Sequence, residues 1–180
     1  MSNSKQVIKY VKDIMSYPQS FATEQKGNYY YSDGVRVLET DEPIEGYELK
    51  EFTMSIFEMM DEYKFYNLNT DDYKLYPLKH DLSEGIKELS GRRYSELVVY
   101  HGSSNYPYVN ARYLRDGMKI LNSKQIMLTE KEKRCPVFLF HKDNIESRLK
   151  MMIFPINTNK DFIGFRNVIT GEIYETNIRY

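Results

Sequence analysis

Acidic and basic side chains at suggestive spacing offer the first chemical readings of this chain. Asp33, followed by Glu48-Leu49-Lys50, is a loose version of the carboxylate and Glu-x-Lys set that orients a metal-bound water against a phosphodiester. Glu48 follows a loop containing Pro43 and Gly46, without an apolar strand around it, so chance explains the pattern better than a nuclease site. The three histidines, His80, His101 and His141, are scattered and none has metal-ligand spacing. The single cysteine, Cys135, precedes Pro136 at the start of an apolar run and reads as a packed strand residue. A catalytic thiol would want a histidine beside it. No Walker loop, dinucleotide fingerprint or Gly-x-Ser-x-Gly elbow is present. These readings point away from an enzyme, with no catalytic residue, metal or cofactor expected.

The basic residues are better placed to do something. Lys5, Lys9 and Lys12 recur at helical spacing opposite Val7, Ile8, Val11 and Ile14. Arg112, Arg115 and Lys119 do the same opposite Leu114, Met118 and Leu121. Two helices, each basic outside and apolar inside, would present cations to phosphates, and every contact would release counterions. Ordinary solvated helix faces would show the same spacing. Glu24, Glu84, Glu88 and Asp116 add negative charge nearby. At a net charge of −1 over 180 residues, any nucleic-acid contact must come from such a local patch.

The elements that must position these residues follow from periodicity and turn chemistry. Ser4 is a candidate N-cap for a helix over Lys5 to Ser16, closed by Pro18. Asn28 to Glu39 reads as a hairpin turned at Ser32-Asp33-Gly34. Helices are predicted around Phe52–Tyr63 and from Asp81 to Leu89, a short extended piece at Leu75–Leu78, and a strand at Glu96–Tyr100. A helix follows from Asn110 to Leu121, with strands at Ile126–Leu128, Val137–Phe140 and Met151–Ile156. Ser147 to Leu149 falls in the connection between the last two. Phe162 to Ile178 reads as a second hairpin turned at Thr170-Gly171-Glu172.

The chain length favours one domain able to bury a core without staples. One thiol makes no internal disulfide and suggests a reducing compartment. The N-terminus lacks a signal-peptide pattern, and no apolar run approaches the roughly 18 residues of a membrane span. Seventeen tyrosines without a tryptophan suit an interacting surface, or reflect codon usage in an AT-rich genome of the kind mobile elements carry.

Three segments, in this order, resemble the bacterial DNA polymerase III beta sliding clamp. Tyr31-Ser32-Asp33-Gly34-Val35-Arg36-Val37-Leu38 is similar to the clamp hairpin with its Thr-Asp-Gly-x-Arg-Leu type run. Val109 to Leu121 is similar to the helix opening Asn-x-x-Tyr-Leu. Cys135-Pro136-Val137 with Met151 to Ile156 is similar to the closing strands, except that Asn157 stands where the family ends on arginine. The resemblance covers about half the chain, which has room for about one of the family's three domains.

That resemblance implies an α+β, clamp-like domain over residues 1–157, two or more helices packed on an antiparallel sheet; the chain runs on past the point where a clamp stops, and 158–180 reads as a C-terminal hairpin extension. It implies a peptide-gripping pocket at Tyr113, Val137, Phe154, Pro155 and Ile156, and basic helices facing DNA through Lys5, Lys9, Lys12, Arg112, Arg115 and Lys119. The implied function is a phage or mobile-element protein, cytoplasmic in a bacterial host. It would bind a polymerase, clamp loader or other nucleic-acid-processing protein, touch DNA or RNA, and self-associate. The alternatives are an anti-CRISPR inhibitor of a CRISPR effector nuclease and, ranked below it, the metal nuclease.

Overall fold

The computed structural model describes residues 5–50, 74–77, 109–128, 136–155, 164–166 and 173–175. The predicted helices over Phe52–Tyr63 and Asp81–Leu89, the strand at Glu96–Tyr100, and Ser4, His80, His101, Cys135 and Ile156 lie outside the described residues.

The first helix, α1 (Lys5–Ile14), buries Val7, Tyr10, Val11 and Ile14, the i, i+3, i+4, i+7 stripe that its sequence carries. It is followed by β1 (Phe21–Gln25), β2 (Asn28–Ser32), β3 (Arg36–Thr40) and β4 (Lys74–Pro77). Then come α2 (Ala111–Leu121), β5 (Gln125–Leu128), β6 (Val137–Phe140) and β7 (Lys150–Ile153). β1 has no counterpart among the sequence expectations. Its only local mark is the tight link to β2, where Lys26 and Gly27 both take positive φ, the backbone a two-residue hairpin needs.

Seven strands form one antiparallel sheet in the order β1-β2-β3-β7-β6-β5-β4. Its centre joins β3 to β7, far apart in sequence, in the register Arg36↔Ile153, Val37↔Met152, Leu38↔Met151 and Glu39↔Lys150. Both β3 and β6 are buried at every residue, as strands covered on both faces must be. The side chains therefore sort by parity onto two faces. One face carries Tyr31, Leu38, Ile153, Val137, Leu139 and Met151 against the two helices. The other carries Tyr30, Val37, Met127, Phe138, Phe140, Met152 and Phe154. Among the described residues the fold is α+β, with two α-helices on an antiparallel sheet.

α2 is set tightly on that sheet. Asn110 caps it, its Oδ1 accepting the Arg112 amide at 2.9 Å. Asn122 ends it in the left-handed conformation at φ 52°, and the Asn122 and Ser123 amides donate to the carbonyls of Lys119 and Met118. In its middle, Gly117 faces β6 and β7 so closely that a Cβ there would stand 2.8 Å from both Leu139 Cδ1 and Met151 Sδ. Beyond the sheet, β8 (Gly164–Arg166) and β9 (Ile173–Glu175) form a separate antiparallel pair, the strands of the C-terminal hairpin read from the sequence. Among the described residues no helix is long and apolar enough to cross a membrane.

Candidate functional site: the groove between the two helices

The site grows from the hairpin turn at Asp33. Gly34, at φ +87°, makes the turn possible. Asp33 Oδ1 accepts the amides of Val35 and Arg36, each at 3.0 Å, and Oδ2 accepts Arg36 Nε at 2.8 Å. Arg36 thus enters β3 on the helix side of the sheet, with no exposed side-chain surface.

A buried guanidinium needs compensation, and α1 and α2 supply it. Asp13 of α1 accepts Arg36 Nη2 at 2.6 Å. The Tyr10 and Tyr113 rings lie 4.7 and 4.2 Å from the guanidinium carbon, one from each helix. Burial opposes the charge on Arg36, but the ionic contacts with Asp13 and Asp33 favour it, and its pKa is raised above the usual arginine value. Burial likewise pushes the phenols of Tyr10 and Tyr113 up, so both rings stay neutral at physiological pH. The Tyr10 hydroxyl donates to Met151 Sδ at 3.4 Å. The hairpin and the Asn-x-x-Tyr-Leu helix, which carry the clamp resemblance in the sequence, therefore meet at Arg36.

With their apolar stripes turned to the sheet, α1 and α2 leave a groove of about 550 Å³ between their outer flanks. Gln6, Lys9 and Asp13 line it from α1; Arg112, Arg115, Asp116 and Lys119 line it from α2, with Tyr10 and Ile120 supplying apolar surface. Four basic side chains thus face two carboxylates, and the carboxylates are engaged. Asp13 Oδ1 lies 3.5 Å from Arg112 Nη2. Asp116 stands 3.8 Å from Arg112 Nε and 3.2 Å from Arg115 Nε. At this exposure such pairs contribute little to stability; their consequence is where the guanidinium groups point.

The basic residues picked out by helical spacing are partly united here. Lys9, Arg112, Arg115 and Lys119 share the groove, whereas Lys5 and Lys12 are exposed on α1 and are not among its lining residues. The pocket set is not brought together. Tyr113 and Val137 lie on the helix side of the sheet, Tyr113 half-buried on Arg36 and Val137 fully buried. Phe154 is buried against the opposite face, because its chain position places it one residue out of phase with Ile153. Pro155 is half-buried, and Ile156 lies outside the described residues.

Sequence reasoning passed over Gln6, Tyr10, Asp13 and the ionic role of Arg36. Two signals were present: an Asp-x-x-Arg across a turn, and one aspartate on an otherwise basic stretch of helix. The Asp33, Glu48 and Lys50 set does not assemble. Both Asp33 oxygens are bonded within its own turn, while Glu48 is exposed in a segment that touches β1 through the Ala22↔Leu49 bridge. Among the described residues no group of three or more His, Cys, Asp or Glu could hold a metal ion.

No family model matches the chain, and no curated protein matches it. Among solved structures it is similar to DNA polymerase III subunit beta from Borrelia burgdorferi, at 10% identity and a TM-score of 0.42, over 87% of this chain and 62% of that one. It is also similar to the Helicobacter pylori beta clamp bound to a DNA ligase peptide, at 15% identity and a TM-score of 0.37, over 73% of this chain and 41% of that one. The chain thus spans less than two thirds of the length of either, and the clamp resemblance read from the sequence is a partial one.

Proposed function

We propose that this chain acts by binding rather than by catalysis, in nucleic-acid processing, and that the groove between α1 and α2 takes the phosphate backbone of a nucleic acid. The observation that supports this reading is the convergence of two basic helix flanks on one concave surface, in a chain whose net charge is slightly negative. Both arginines of the groove lie beside carboxylates, Asp13 and Asp116, while Lys9 and Lys119 are exposed.

A second reading has an observation of its own. Asp13 and Asp116 make the groove a surface of both signs, which fits a protein of nucleic-acid processing that carries mixed charge as well as a phosphate chain. The Helicobacter pylori beta clamp structure carries a DNA ligase peptide.

Anisotropy titration of a short labelled DNA duplex separates the two. The polyanion reading expects saturable binding at low salt, weakened at least tenfold by Lys9→Glu with Lys119→Glu. Absence of duplex binding by the unaltered protein would overturn it and leave the protein-partner reading.

A further inference from the structure

We infer that Asp13 is an internal counter-ion of the groove: it occupies Arg112, and so limits how tightly the groove takes a phosphate chain. The inference rests on the polyanion reading above and specifies what regulates that site.

The geometry carries it. Asp13 has two oxygens with different duties. Oδ2 accepts Arg36 Nη2 at 2.6 Å, and Arg36 is itself immobilised by Asp33 and two tyrosine rings. Oδ1 is turned to Arg112 Nη2 at 3.5 Å, and the side chain is one third exposed within the groove lining. A carboxylate pinned from below by a buried guanidinium cannot swing away when a phosphate approaches. A phosphate that engages Arg112 through Nη2 must therefore compete with this ion pair, and one at its other nitrogens meets a fixed negative charge close by. Among the described residues the other groove cations carry no such restraint from the buried layer: Lys9 and Lys119 are exposed, and Arg115 meets Asp116, a residue of its own helix.

Two physical pictures give opposite expectations, which makes the inference testable. If Asp13 merely orients Arg112 for its ligand, its loss weakens binding. If it competes with the ligand, its loss strengthens binding and adds one phosphate contact. Asp13→Asn is the natural variant, because an asparagine oxygen still accepts the Arg36 bond.

The probe is a short fluorescent DNA duplex, titrated across a range of salt with thermal melting as the folding control. The expected result is severalfold tighter binding and a slope of log K against log[salt] steeper by about 0.9, the value of one more phosphate contact. Arg112→Gln should then cost severalfold more affinity in the Asp13→Asn background than in the unaltered protein. Should Asp13→Asn not fold, Asp13→Ser takes its place: it removes the same negative charge from beside Arg112 and is expected to bind more tightly than the unaltered protein. Unchanged or weaker binding by a folded variant overturns this inference while the groove reading stands. Failure of the unaltered protein and the variants alike to bind at low salt overturns both.

Discussion

Arg36 and Tyr113, far apart in sequence, are stacked with the guanidinium carbon 4.2 Å from the ring centre, and this contact ties the Asp33 hairpin to the second helix. The same guanidinium reaches Asp13 on the first helix. One buried side chain thereby ties the hairpin to both of the helices that shape the groove.

The first prediction concerns that side chain. Arg36→Met leaves Asp33, which is 2% exposed, without its ionic partner. The expected loss is about 3–5 kcal/mol in urea unfolding, the usual cost of breaking a buried ion pair from one side. Adding Asp33→Asn, which keeps an acceptor for the turn, should recover part of it. A loss under about 1 kcal/mol would mean the cluster is not a structural tie.

Gly117→Ala is the second. In an open helix the change would add up to about 1 kcal/mol of stability. Here the new methyl meets Leu139 and Met151 at 2.8 Å, so a net loss of about 1–3 kcal/mol is expected, read as a lower melting temperature. A gain would show that α2 can move off the sheet without cost.

A third follows from Glu39, buried on the other face of the sheet, with Lys150 Nζ at 3.3 Å. Burial raises its pKa from 4.5 to about 7, held back by Lys150. Between those two values the folded protein binds the extra proton and the unfolded chain does not, so stability falls as pH rises through that window. The fall attributable to Glu39 is on the order of 3 kcal/mol, fully developed above about pH 7. Comparing urea midpoints at pH 5 and pH 8 tests this: Glu39→Gln should flatten the decline, and an equal slope in both proteins would contradict the assignment.

Asn110→Ala is the fourth, and it links the helix end to the groove. Loss of the cap on the Arg112 amide should cost about 1 kcal/mol of stability. Fraying would begin at the turn that carries Arg112, so hydrogen exchange should rise first at the start of α2.

What the sequence disclosed depended on whether the signal was local. The amphipathic stripe of α1, the Asp-Gly turn, the helix ending at Leu121 and the apolar runs at Val137 and Met151 each specify their element within a few residues, and each lies where the spacing put it, with Asn110 serving as the cap of that helix rather than its first residue. β1 was missed because Phe21-Ala22-Thr23-Glu24-Gln25 has no clear alternation; pairing with β2 makes it a strand. Basic helix faces were legible, but not that their flanks converge, since this depends on how both helices dock on one sheet. The division of Val137 from Phe154 follows from strand parity, which needs the exact register of β7. Arg36 reads as a surface residue until Asp13, Asp33 and two tyrosines are seen around it.

The salt dependence of duplex binding by the unaltered protein tests the central claim most directly. With Lys9, Arg115 and Lys119 free of Asp13, about three phosphate contacts are expected, giving a slope of log K against log[salt] near −3. A slope near zero, or no binding at low salt, would contradict the assignment of this groove to a phosphate backbone.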